Sequence, residues 1–335
     1  MKPRFNFKPF IAVFLAVFLV CAPSFAADRE NFTVGNLTVE KALVMQGLIQ
    51  GSVNTTGNVF YVDSGVGINA IGRGGSASEP LDDIDYAVGL CTANNGDYII
   101  VMPGHNEGIT TAADIDVDVA GVTIIGLGSG EATPTIDFDA ATASFAVGAD
   151  SVTIANLRFR VSANATVVGL DIEAGFDETK VLNCQFGYAE TATDEFAIAL
   201  RNNAGCDMTI IDGCYFDAGA QAAVVGISIT GASDRVTIRD NSFWGAHSTA
   251  MINGITTLST EALIQGNLFY QGATEPAIEL LTGTTGIIAD NYIKTNLATM
   301  VASVVADGCF LFQNYYNEDA NPGTGALIGT ASAND

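Results

Sequence analysis

Apolar and polar positions along this chain fall into short runs that return at near-regular intervals. One phrase recurs: an apolar strand, a turn residue, one special position, any residue, then an aromatic residue or Ile. It reads VTIANLRF over 152–159, KVLNCQF over 180–186, MTIIDGCYF over 208–216 and VTIRDNSF over 236–243. It continues as ALIQGNLF over 262–269, GIIADNYI over 286–293 and CFLFQNYY over 309–316, with a looser copy, VTIIGLG, over 122–128. The special positions are Leu157, Cys184, Cys214, Asn241, Asn267, Asn291 and Asn314, spaced 27, 30, 27, 26, 24 and 23 residues apart. A second apolar phrase precedes each copy, among them SFAVGAD, VGLDIEA, EFAIALR and VVGISIT.

A unit this short cannot bury its apolar face alone, but stacked copies can, which is the logic of a solenoid. The pattern predicts an all-β fold, a right-handed parallel β-helix. Each coil rises ~4.8 Å, so about eight coils give a rod of roughly 40 Å. Asn tolerates the left-handed backbone of a sharp bend. Stacked Asn amides also donate to one neighbour and accept from the next. Asn241, Asn267, Asn291 and Asn314 are therefore expected to form a buried ladder at a left-handed bend. Cys184 and Cys214 take the same column one coil apart, either as small buried core thiols or as a disulfide, for which stacked strands offer the reach but not an ideal dihedral angle, and Phe159, Phe186, Phe216, Phe243, Phe269, Ile293 and Tyr316 form an interior stack.

The beginning of the chain reads differently. Lys2, Arg4 and Lys8 precede an apolar run, Phe10 to Val20, and Ser24-Phe25-Ala26 offers small residues for cleavage, so residues 1–26 read as a signal peptide. This predicts an exported protein, secreted or held at the cell surface or in the periplasm. Residues 27–57 form an N-terminal arm, either partner-binding and trimerising or a lead-in strand. Residues 58–104 read as the β-helix entry and cap, with Pro80 opening a short amphipathic helix through Ile84, Ala87, Val88 and Leu90. Residues 105–335 are the β-helix proper.

Charge narrows the partners. The chain carries 37 acidic against 13 basic residues, a net charge of −24, and loss of residues 1–26 makes it more negative still. Nucleic acid and anionic membranes are disfavoured. No segment after residue 26 is long and apolar enough to span a bilayer. The cysteines after residue 26 number five, show no C-x-x-C and lie in no Cys/His cluster, which argues against zinc.

Tyr61-Val62-Asp63, Pro80, Ile84, Ala87, Gly96-Asp97, Ile99, Val101 and Pro103-Gly104 resemble the opening of pectin-lyase-like right-handed β-helix proteins. The later coils resemble the parallel β-helix repeats of that superfamily, and the likeness covers residues 58–316. The run over 280–288, Ala306-Asp-Gly-Cys-Phe and the tail from Leu327 are most similar to uncharacterised β-helix proteins of tailed bacteriophages and environmental bacteria. That resemblance implies a virion-associated or surface structural protein.

Enzymes of the superfamily act on acidic polysaccharides, but their working phrases are absent here: Asn-Thr-Asp, Gly-His-Gly, Arg-Ile-Lys and the Arg-rich lyase phrase. What remains is scattered. Asp171 and Glu173 alternate on one strand, both facing outward, and Arg201 holds the similar place one coil later. These are the catalytic candidates, set against a solvated cross-strand ion pair. Asp114, Asp116 and Asp118 share one outward face, with Asp137 and Asp139 near in the chain. They are candidates for Ca2+, the one cofactor considered, or a solubilising acidic face. Trp244 is a candidate sugar platform or a loop anchor, with His247 in the loop after it. His105 and His247 are too far apart to share a nucleophilic site.

Two readings of function follow. The first is a structural or adhesive β-helix whose partner is a polysaccharide or a component of a cell or virion surface. The second is a polysaccharide lyase or glycoside hydrolase. A homotrimer is the third element to test.

Overall fold

A computed structural model describes residues 55–162, 166–187, 195–218, 223–254, 256–297, 300–318 and 326–328. The expected signal peptide and most of the arm lie outside them, as does most of the segment after residue 318. The chain divides after Ser52, and every described residue belongs to the unit that follows.

Three sheets run along the axis of a parallel β-helix. The first holds ten strands, from Val59–Val62 to Cys309–Phe312. The second begins at Asn106–Ile109 and reaches Asn314–Glu318, closed by Ala326–Ile328, which pairs antiparallel to that last strand. The third holds eight, from Ile115–Val117 to Val304–Val305. Each coil contributes one strand per sheet, and neighbours in a sheet come from successive coils. No described helix is long and apolar enough to cross a membrane.

The core follows from the alternation. In the first sheet Ile124, Ile154, Val181, Ile211, Ile238, Ile264 and Ile288 stand in register and are buried. In the second, the rings of Phe159, Phe186, Phe216, Phe243 and Phe269 stack at 4.6, 4.8, 4.7 and 4.9 Å between centroids. The spacing is that of adjacent parallel strands, so the ring stack and the backbone ladder share one repeat.

The Asn ladder is present, with one correction. Asn267 Nδ2 donates to Asn291 Oδ1 at 3.0 Å and to the Ile238 carbonyl at 2.9 Å, and its own Oδ1 accepts from Asn241 Nδ2 at 3.0 Å. The left-handed residue, however, is the one before each ladder position: Asn156, Asn183, Gly213, Asp240, Gly266, Asp290 and Gln313, with φ from 48° to 67°. The bend residue turns the chain at the corner, and its successor is buried, where its amide meets donors and acceptors that water cannot reach. Cys184 and Cys214 continue the column as free buried thiols, and Cys214 Sγ accepts from the Cys184 N–H at 3.4 Å.

The cap differs in detail. Pro80 does not open the helix, because Leu81 bridges to Val62 as an extended residue. The helix is Ile84–Val88, started by Asp83, whose carboxylate accepts from the Tyr86 N–H at 2.7 Å. Half-buried Glu107 also accepts from the Ile84 N–H, at 3.1 Å, and bonds His105 at 3.0 Å, so His105 is part of the cap. A second short helix, Met300–Ser303, precedes the last strand of the third sheet and was not expected.

Candidate functional site

The outward face of the third sheet gathers most of the candidate acids. Register sets Asp116 beside Ala146, Ala146 beside Asp171, and Asp171 beside Arg201, each one coil further on. Two residues along each strand, the Gly148 N–H donates to the Val117 carbonyl at 3.1 Å and the Glu173 N–H to the Val147 carbonyl at 3.0 Å. Glu173 and Asp118 therefore flank Gly148. Two sets of residues that the sequence kept apart, Asp171, Glu173 and Arg201 on one hand and Asp116 and Asp118 on the other, occupy one surface.

Ala146 and Gly148 make its floor. A Cβ placed on Gly148 would lie 3.2 Å from Asp116 Oδ1 and 3.3 Å from Glu173 Oε2, so these oxygens are no more than 6.5 Å apart. Burial pushes the Asp116 carboxyl above its usual range, helped by the like charges of Asp118 and Asp85. Burial also raises Glu173, with Asp116 and Asp171 adding to the rise and Arg201 opposing it. Asp116 Oδ1 is buried and without a hydrogen-bond partner among the described residues.

Beside the pair runs a connected polar array. Arg201 grips Asp171 with two nitrogens, Nε at 2.8 Å. That bond is the main reason its guanidinium is held above the usual range. Asn203 Nδ2 donates to Asp171 Oδ1 at 2.8 Å, and Thr230 Oγ1 donates to Asn203 Oδ1 at 2.8 Å. Carboxylate, guanidinium, carboxamide and hydroxyl thus follow one another over three coils.

Asp114 stands apart. Its carboxylate accepts from the Thr110 and Thr111 N–H groups at 2.5 and 3.1 Å, and these bonds outweigh burial and lower its acidity range. Asp137 is on the second sheet, paired with Arg160 and with Ser162 Oγ at 2.5 Å. Among the described residues, no three His, Cys, Asp or Glu side chains are grouped so as to hold a metal ion.

Trp244 is on the second sheet, on strand Ser242–Gly245 rather than in a loop, and faces outward at 37% exposure. His247, expected in the loop after it, opens the buried strand His247–Gly254. Its burial lowers the imidazole to about 4. The sequence reading missed Gly148 and Ala146. The signal was available: aligning IDV over 115–117 with FAV over 145–147 places the small residues between the two sets of acids.

No family model and no curated protein matches the chain. Among solved structures it resembles the GH136 lacto-N-biosidase from Eubacterium ramulus, with a TM-score of 0.51 and 14% identity over 77% of this chain and 56% of that one. At that identity the likeness is one of fold, a parallel β-helix, and the match spans little more than half of the enzyme's length.

Proposed function

We propose that this protein is an exported β-helix that contacts glycans through the outward face of its third sheet. The observation that carries the reading is the array of Asp171, Arg201, Asn203 and Thr230 beside the floor of Ala146 and Gly148. Alternating donors and acceptors on a flat sheet suit the hydroxyls of a sugar chain, and the small floor lets a ring approach the backbone. The structural neighbour is a lacto-N-biosidase, which supports the same class of ligand. Calorimetry of the protein with neutral and acidic oligosaccharides, lacto-N-tetraose and trigalacturonate among them, tests it. Binding that weakens at least tenfold in Arg201→Ala and in Gly148→Val is expected. Equal affinity in both variants and the native chain refutes it.

The second reading, a glycoside hydrolase, is favoured by Asp116 and Glu173. Retaining glycosidases hold their carboxyl groups about 5–5.5 Å apart and inverting ones about 6.5–9.5 Å apart. A separation of no more than 6.5 Å lies at or below the lower edge of the inverting range and admits the retaining one. Raised carboxyls are what a general acid needs near neutral pH. A lyase is less well served, because Arg201, the cation at hand, is tied to Asp171 by two bonds and has no tendency to accept a proton. Release of reducing ends that is lost in both Asp116→Asn and Glu173→Gln would establish hydrolysis, and binding without release would leave the adhesive reading. Virion or cell-surface attachment and trimer formation belong to this proposal too. Light scattering with and without residues 27–57 tests the trimer, and a monomer mass in both cases removes it.

A further inference from the structure

The third sheet begins on strand Ile115–Val117, and among the described residues no strand pairs with its far edge. Every second N–H of such a strand faces that open edge and needs an acceptor that is not another strand. The Val117 carbonyl points into the sheet, where it takes the Gly148 N–H at 3.1 Å, so the N–H of Asp116 points outwards. It donates to Asp85 Oδ1 at 3.1 Å.

Asp85 comes from the capping helix Ile84–Val88. Ile84, Ala87 and Val88 are buried at helical spacing, which leaves Asp85 on the exposed side. The helix is held at both ends. The Tyr86 N–H donates to Asp83 and the Ile84 N–H to Glu107, while the Gly89 N–H closes on the Asp85 carbonyl at 3.0 Å. Asp85 thus reaches the strand from a fixed backbone.

The residue it holds belongs to the site. Asp116 Oδ1 lies beside the Gly148 floor, across from Glu173 Oε2. No hydrogen bond among the described residues fixes that oxygen, so its place is set by the backbone that bears it. Asp85 acts on the carboxyl as well. After burial and the charge of Asp118, its negative charge raises Asp116.

We infer that Asp85 is a positioning residue of the third-sheet site, and that the capping helix is thereby part of the glycan face as well as an end seal. One oxygen of Asp85 fixes the Asp116 backbone, and its charge faces the Asp116 carboxyl. The inference rests on the glycan reading above and extends that face beyond its first strand, into the cap.

Three variants of the full chain test it. Asp85→Asn keeps an acceptor oxygen and removes the charge, and Asp85→Ala removes both. Asp82→Ala removes a charge from an exposed position of the same cap. Amide exchange at Asp116, carbon NMR titration of its carboxyl, and calorimetry with lacto-N-tetraose and trigalacturonate are the readouts. In Asp85→Ala the Asp116 N–H should exchange about tenfold faster and binding should weaken about fivefold, as loss of one hydrogen bond allows. Asp85→Asn should restore exchange and binding to native values, yet the Asp116 carboxyl should titrate lower in both Asp85 variants. Asp82→Ala should match the native chain throughout. An end seal alone would leave the Asp116 titration unmoved in Asp85→Asn, and that result overturns the inference. Native exchange at Asp116 in Asp85→Ala overturns it too. Should Asp85→Ala lose its circular dichroism, Asp85→Asn decides by itself, because it keeps the acceptor. Binding that falls in Arg201→Ala but not in Asp85→Ala spares the glycan reading and removes Asp85 from the site. If the native chain binds neither sugar, the glycan reading fails, and Asp85 stands or falls on exchange and titration.

Discussion

Replacing Asn267 by Ala tests how the bends are held. Asn267 is buried, and its carboxamide makes four bonds. Its Oδ1 accepts from the Asn241 backbone N–H at 2.9 Å and from Asn241 Nδ2 at 3.0 Å. Its Nδ2 donates to the Ile238 carbonyl at 2.9 Å and to Asn291 Oδ1 at 3.0 Å. Two of the partners keep another bond: Asn241 Nδ2 still reaches the Ile211 carbonyl, and Asn291 Oδ1 still accepts from the Asn267 N–H. The Asn241 N–H loses its acceptor. An orphaned buried donor costs about 1–3 kcal/mol and each lost bond about 0.5–1.5 kcal/mol, so a loss of about 3 kcal/mol is expected. Asn267→Cys should cost less, since Cys214 in the same column already accepts a backbone N–H through sulfur. Asn267→Asp should cost more than Ala near neutral pH, because it sets a buried charge against the Ile238 carbonyl and Asn291 Oδ1. Urea denaturation followed by far-UV circular dichroism gives the ranking. Amide exchange at Asn241 locates the loss, which matters because stacked coils need not unfold as one unit. A cost below 1 kcal/mol for Ala, or unchanged protection at Asn241, refutes the reasoning.

Three further outcomes are expected. His247 is buried neutral with its imidazole lowered to about 4 from 6.5, so its contribution is complete above 6.5 and is lost as the pH falls towards 4. That loss is about 3 kcal/mol, and His247→Leu should flatten the urea midpoint over this interval; parallel profiles would exclude it. Phe216→Ala opens a hole in the ring stack between Phe186 and Phe243 and should cost about 3–5 kcal/mol by the same denaturation measurement. Asp116→Asn removes a like charge from Glu173, whose carboxyl should then titrate lower by carbon NMR; an unmoved titration would separate the two groups.

The inward positions were legible because each packs against its own counterpart one coil away, so a residue such as Phe216 advertises its place by recurring. The period of the Asn series likewise announced a ladder. Its geometry was not legible: a sequence cannot tell whether Asn241 or Asp240 carries the left-handed turn, since both residues tolerate it. Outward positions have no partner to enforce repetition. Which of them meet depends on register across coils of unequal length. Asp116 and Glu173 are two coils apart in the chain and join only because Ala146 and Gly148 lie between them. Trp244 likewise became a ring stacked on Tyr270 once strand pairing set the two side by side. The amino-acid sequence by itself determined the solenoid, its core and its ladder, through self-complementary burial. Only the tertiary structure decided which surface groups form a site, because that is a matter of register between coils rather than of pattern within one.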